Sequence, residues 1–90
     1  MALIDKTVEL NREIHAIELA LAETRAQLER DKEAVEAAAA ATWSVTDDPL
    51  YGAAAAKVKA DLARIEKLEH GLTGTIKDRD DAIQARRRRQ

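Results

Sequence analysis

One interruption governs what this chain can fold into. Ser44-Val45-Thr46-Asp47-Asp48-Pro49 lies near the middle of the 90 residues, and the stretches on either side contain little that would stop a helix. Pro49 is the chain's one proline, and none of its three glycines precedes Gly52. Asp48 is a good N-cap residue, because its carboxylate can accept a backbone N–H that has no intrahelical partner. Pro49 suits the first helical position, where a missing N–H costs nothing. These signals predict helix 1 over about residues 3–42, a turn at 43–48 and helix 2 over about 49–88, with a basic tail at 86–90.

Each predicted helix carries a heptad stripe. In the first, the a series is Thr7, Ile14, Leu21, Leu28, Val35 and Thr42, and the d series is Leu3, Leu10, Ile17, Thr24, Asp31 and Ala38. In the second, the a series is Ala55, Leu62, Glu69, Ile76 and Ile83, and the d series is Tyr51, Val58, Ile65, Leu72, Arg79 and Arg86. Facing residues of an antiparallel pair have numbers of constant sum. A mirror point between Thr46 and Asp47 pairs Thr42 with Tyr51, Val35 with Val58, Leu28 with Ile65, Leu21 with Leu72, Ile17 with Ile76, and Leu10 with Ile83. The same register sets Asp31 opposite Leu62, Thr24 opposite Glu69, and Ile14 opposite Arg79, whose long stem can snorkel. Seam phases and breakers, read separately, agree on one architecture. The fold class is all-α: a two-helix antiparallel coiled-coil hairpin, a single domain over 1–90, assembling into a four-helix bundle or larger helical oligomer.

Composition supports this and narrows the chemistry. Charged residues make up 36% of the chain, with one Trp and one Tyr, so aliphatics and Ala must fill any interior. Residues 1–48 hold 11 acids and 5 bases, and residues 49–90 hold 6 acids and 10 bases. The halves are therefore net −6 and net +4, and attract when side by side. There is no Cys, which removes disulfides and thiolates. No signal-peptide pattern or membrane span is read in the sequence, so the expected location is cytoplasmic, with export by a signal-less route left open.

Candidate chemistry is sparse. His15 and His70 fall at b positions, far apart along a hairpin, with no helical metal-ligand spacing. Asp78-Arg79-Asp80-Asp81 lacks the turn and spacing of a calcium loop and reads as exposed charged helix. Ser44, Thr46 and Tyr51 have no base beside them in sequence. No catalytic residue, cofactor or metal is expected.

The candidate sites are surfaces. One flank of the seam is charged, and Arg25 and Glu66 are placed to pair across it. The other flank, with Ala20, Gln27, Ala34 and Ala41 followed by Ala54, Asp61, Leu68, Thr75 and Ala82, is small and nearly uncharged. Ala20, Gln27, Ala34, Leu68 and Thr75 are the expected partner-binding residues on it. Leu68, with Ile4, Val8 and Leu19, places apolar side chains off the seam. Trp43, at the tip beside Val45, Leu50 and Tyr51, reads either as a cap on the seam over Leu50 or as an anchor for a partner. Arg86, Arg87, Arg88 and Arg89 complement the helix dipole and offer a contact for an acidic protein patch. Without interleaved aromatics or a wider basic face, nucleic acid is not the expected ligand.

Two families of bacterial helical hairpins share features with these residues. Trp43 in a mid-chain turn resembles the secreted W-x-G hairpins, although Val45 stands where their glycine would be. Asp48-Pro49 in the turn, with Thr75-Ile76-Lys77-Asp78 and then Ile83 in helix 2, resembles the type III secretion needle subunits. That resemblance implies an exported, filament-forming hairpin. The leading expectation remains a non-enzymatic structural or adaptor protein working through helix–helix contacts with itself or another helical protein. A small bacterial or phage regulator that docks on a larger protein is the other alternative.

Overall fold

The computed structural model describes residues 6–44 and 46–89. Leu3, Ile4, Val45 and Gln90 lie outside the described residues, as does the side chain of Arg89. The protein is all-helical, with two helices: α1 (Lys6–Ala40) and α2 (Pro49–Arg89). Helix α1 stops at Ala40, before the expected 42, where the Ala41 N–H is shared between the Ala37 and Ala38 carbonyls at 3.2 Å each.

The turn follows the capping chemistry. Asp48 Oδ1 accepts the Leu50 N–H at 2.9 Å, and Asp48 O accepts the Gly52 N–H at 3.0 Å, so Asp48 is the N-cap and Pro49 the first helical residue. Upstream, the Ser44 hydroxyl donates to Asp47 Oδ2 at 3.3 Å, and Thr42 Oγ1 accepts the Ser44 N–H at 3.3 Å. Such short polar side chains give the backbone an alternative to helix, which ends α1 without a glycine.

Two compact units share the helices. The first joins residues 1–21 to 67–90, and the second is the continuous stretch 22–66. In the first unit Leu10, Ile14 and Leu21 are buried, and Ile17, Leu72, Ile76 and Ile83 are half-buried. The half-buried Arg79 keeps its stem inside and sends its guanidinium to Asn11 Oδ1 at 3.2 Å and to the neighbouring Asp80 Oδ1 at 3.3 Å, the snorkelling expected of it. In the second unit Leu28, Ile65, Thr24 and Asp31 are buried, and Val35, Tyr51 and Val58 are half-buried.

The a/d stripe of α1 is the inner stripe throughout the described residues. That of α2 is displaced. Leu62 is 51% exposed and Glu69 is exposed, whereas Asp61 and Leu68, one position earlier in each case, are half-buried, and farther along Thr75 and Ile76 are both half-buried. Through the middle of α2 the inner face is therefore d and g rather than d and a, which corrects the pairing of Asp31 with Leu62. A straight helix drifts by about 20° per heptad against a 3.5-residue repeat, so a modest rotation exchanges a for g. The rotation keeps the Glu69 carboxylate in water, and Leu62 is exposed in return.

Helix α2 runs unbroken through Gly71 and Gly74. The Thr73 and Thr75 hydroxyls donate back to the Glu69 and Gly71 carbonyls at 3.0 and 2.9 Å. A Cβ at either glycine would meet nothing within 4 Å. Gly71→Ala and Gly74→Ala should each raise stability by about 1 kcal/mol in urea unfolding, because only helix propensity changes. Asp48→Ala should lower it by about 1 kcal/mol. A destabilising glycine replacement would show that the outer face of α2 is covered.

Candidate interaction site

The small-residue flank divides between the two helices. On α2, Ala54, Asp61, Leu68, Thr75 and Ala82 are all half-buried, so this side of α2 is partly occupied by the chain itself. On α1, Ala20 is half-buried, while Gln27 and Ala34 are exposed. Gln27 is already engaged: its Nε2 donates to Asp31 Oδ1 at 3.0 Å, and its Oε1 accepts from Arg30 Nη2 at 2.8 Å. The apolar groups that do stand in water lie elsewhere. Val8 is 44% and Leu19 56% exposed, and both belong to the first unit.

At the turn, Trp43 is as exposed as an isolated residue, at 105%, and Leu50 is 75% exposed. Trp43 does not cap the seam over Leu50. The indole sits just past the last turn of α1, where the Thr42 and Ser44 polar groups hold the backbone away from helical geometry. It is an exposed aromatic, the residue type that dominates many interfaces once buried.

The charged segments at the far end of α2 form local pairs. Lys77 Nζ meets Asp81 Oδ2 at 2.9 Å, and this hydrogen bond and charge hold the Lys77 ammonium above its ordinary value. Arg79 Nη2 meets Asp80 Oδ1 at 3.3 Å. Such exposed pairs contribute little to stability. Arg86, Arg87 and Arg88 are exposed along the last turns of α2.

One constellation escaped the sequence reading. Asp31 of α1, only 8% exposed, faces Asp61 of α2, whose Oδ2 is buried with no hydrogen-bond partner. Heptad counting had turned Leu62 inward and set Asp61 on the flank. The available signal was the position of Asp61, one residue from the mirror partner of Asp31. An open groove beside the pair is lined by Glu23, Thr24, Gln27, Arg30, Asp61 and Arg64.

Two carboxyl groups this close cannot both ionise freely. The hydrogen bond from Asp61 holds the Asp31 carboxyl below its ordinary value, with help from Gln27, Lys57 and Arg30 against burial. The same bond, burial and the Asp31 charge push Asp61 up, with Arg64 opposing. These opposite directions are those of a pair in which a proton is held more readily by Asp61 than by Asp31.

Among the described residues, no group of three or more His, Cys, Asp or Glu side chains could hold a metal ion. Likewise, no helix is long and apolar enough to cross a membrane. Comparison of the chain with protein-family models, with curated proteins and with solved structures finds no match.

Trp43 is the sole Trp, so its fluorescence reports the tip alone. Emission should match a fully hydrated indole, with acrylamide quenching near that of free tryptophan amide. Blue-shifted, protected emission would show that assembly or a partner covers the tip.

Proposed function

We propose that this chain is a non-enzymatic structural or adaptor protein, an antiparallel coiled-coil hairpin that works by associating, through its helices, with a second copy of itself. The observation that carries this reading is an imbalance of apolar side chains. Among the described residues the buried apolar core consists of Leu10, Ile14, Leu21, Leu28 and Ile65, and no side chain reaches full burial. As many large apolar side chains stand exposed: Val8, Leu19, Trp43, Leu50 and Leu62. A small domain with so thin an interior gains most from further burial. Charge favours a like partner, because an acidic first half and a basic second half of net −6 and +4 complement those of a reversed copy.

Sedimentation equilibrium tests this directly. The 9.9 kDa chain should run as a dimer or larger assembly. Leu19→Ser and Leu62→Ser should shift it toward the monomer while the helical circular dichroism persists. A wild-type chain that stays at 9.9 kDa at high concentration overturns the proposal. Filaments by electron microscopy would move it toward the exported hairpin subunits that its Thr75-Ile76-Lys77-Asp78 stretch resembles.

The full exposure of Trp43 favours a second reading, docking of the tip on a larger protein. Trp43→Ala should then abolish capture of that protein without altering self-association.

A further inference from the structure

We propose that Asp31 and Asp61 share a single proton and form a pH-responsive latch between the two helix segments of the 22–66 unit, closed while the proton is held and loosened when it leaves. The geometry carries this. Asp31 is more than nine-tenths buried on the inner stripe of α1, between the buried Thr24 and Leu28 on one side and the half-buried Val35 on the other. Asp61 lies on the inner face of α2, and its Oδ2 is buried with no ordinary donor reaching it. A buried carboxylate oxygen without a donor is costly. A proton on Asp61, donated to Asp31, turns two facing anions into one charge-assisted hydrogen bond.

The surroundings favour one proton rather than none or two. From α1, Gln27 Nε2 donates to Asp31 Oδ1 at 3.0 Å, which stabilises an anion there, and Arg30 adds positive charge. From α2, Lys57 also favours the Asp31 anion, and Arg64 acts on Asp61. Glu23 lines the same groove and adds negative charge, which opposes ionisation of a second carboxyl. Raising the pH removes the Asp61 proton to solvent, breaks the hydrogen bond and leaves two like charges across the helix pair. Leu28 and Ile65 are the buried apolar residues of this unit, so loosening it opens the unit's only fully inward aliphatic layer among the described residues.

The sign of the linkage follows from the directions of the two shifts. Asp61 is raised, so its stabilising effect is present at low pH and is lost as pH rises through its folded value. Asp31 is lowered, so its effect is present above its unfolded value and is lost as pH falls through its folded one. The latch is tightest between the two. His15 and His70 are exposed residues of the other unit.

Thermal unfolding of the full chain, followed by circular dichroism across this range, tests the latch. Wild-type Tm should climb by a few degrees on acidification from alkaline pH, then fall once Asp31 is protonated as well. In Asp61→Asn, whose amide donates at every pH, the climb should vanish, with a higher Tm than wild type at the alkaline end. An undiminished climb in Asp61→Asn overturns the proposal. Carboxyl 13C titration of the wild-type chain provides a readout free of substitution. One aspartate titrating above the others and one below them supports the latch, and two ordinary titrations overturn it. Repetition at much lower protein concentration should leave both results unchanged, which separates an intrachain latch from self-association.

Discussion

An α-helix that is polar on most of its surface can bury only one stripe, and this chain has two helices with which to do it. Everything else in the structure follows from how that stripe is filled. With one Trp, one Tyr and no Phe, the interior rests on branched aliphatics meeting one layer at a time. Each layer is shallow, which is why Leu21, the most buried of the apolar residues, still retains 3% of its surface. Shallow layers also tolerate polar members. Thr24 and Asp31 sit as deep as the leucines around them, and a thicker core would make an Asp there prohibitive.

The displacement within α2 shows how such an interior negotiates conflicting demands. Heptad counting offers Leu62 and Glu69 to the seam together, since both occupy the same series. Burying the leucine would carry the glutamate inward seven residues later, at a desolvation cost to its carboxylate. Turning the helix slightly leaves Glu69 hydrated and admits Leu68 and Thr75 in its place. The same turn brings Asp61 inward. That is tolerable because a second carboxyl on the opposite helix can accept its proton.

Much of the architecture was legible from the sequence because it depends on local chemistry. Asp48 and Pro49 fixed the start of α2 to the residue, and the spacing of Leu10, Ile14, Leu21 and Leu28 identified the inner stripe of α1. What was not legible depended on fractions of a turn. The choice between Leu62 and Asp61 is one position in seven, and a repeat count cannot resolve it when one alternative places a leucine and the other a carboxylate. At the tip the sequence left two readings of Trp43 open, a cap on the seam or an exposed anchor. An aromatic beside Leu50 suggested a cap on the seam, but the hydroxyls of Thr42 and Ser44 end α1 early and leave the indole outside. Gly71 and Gly74 lie away from the inner stripe, and α2 runs through them unbroken, in keeping with the single helix expected over 49–88.

That last continuity has a mechanical side. Over Gly71 to Thr75 the backbone of α2 has two residues with no side-chain bulk and two whose hydroxyls compete for the carbonyls of the preceding turn. The rod is intact here because its neighbours enforce it, not because this turn would form by itself. Amide exchange along α2 should therefore be uneven, with protection dipping at this turn and recovering on both sides.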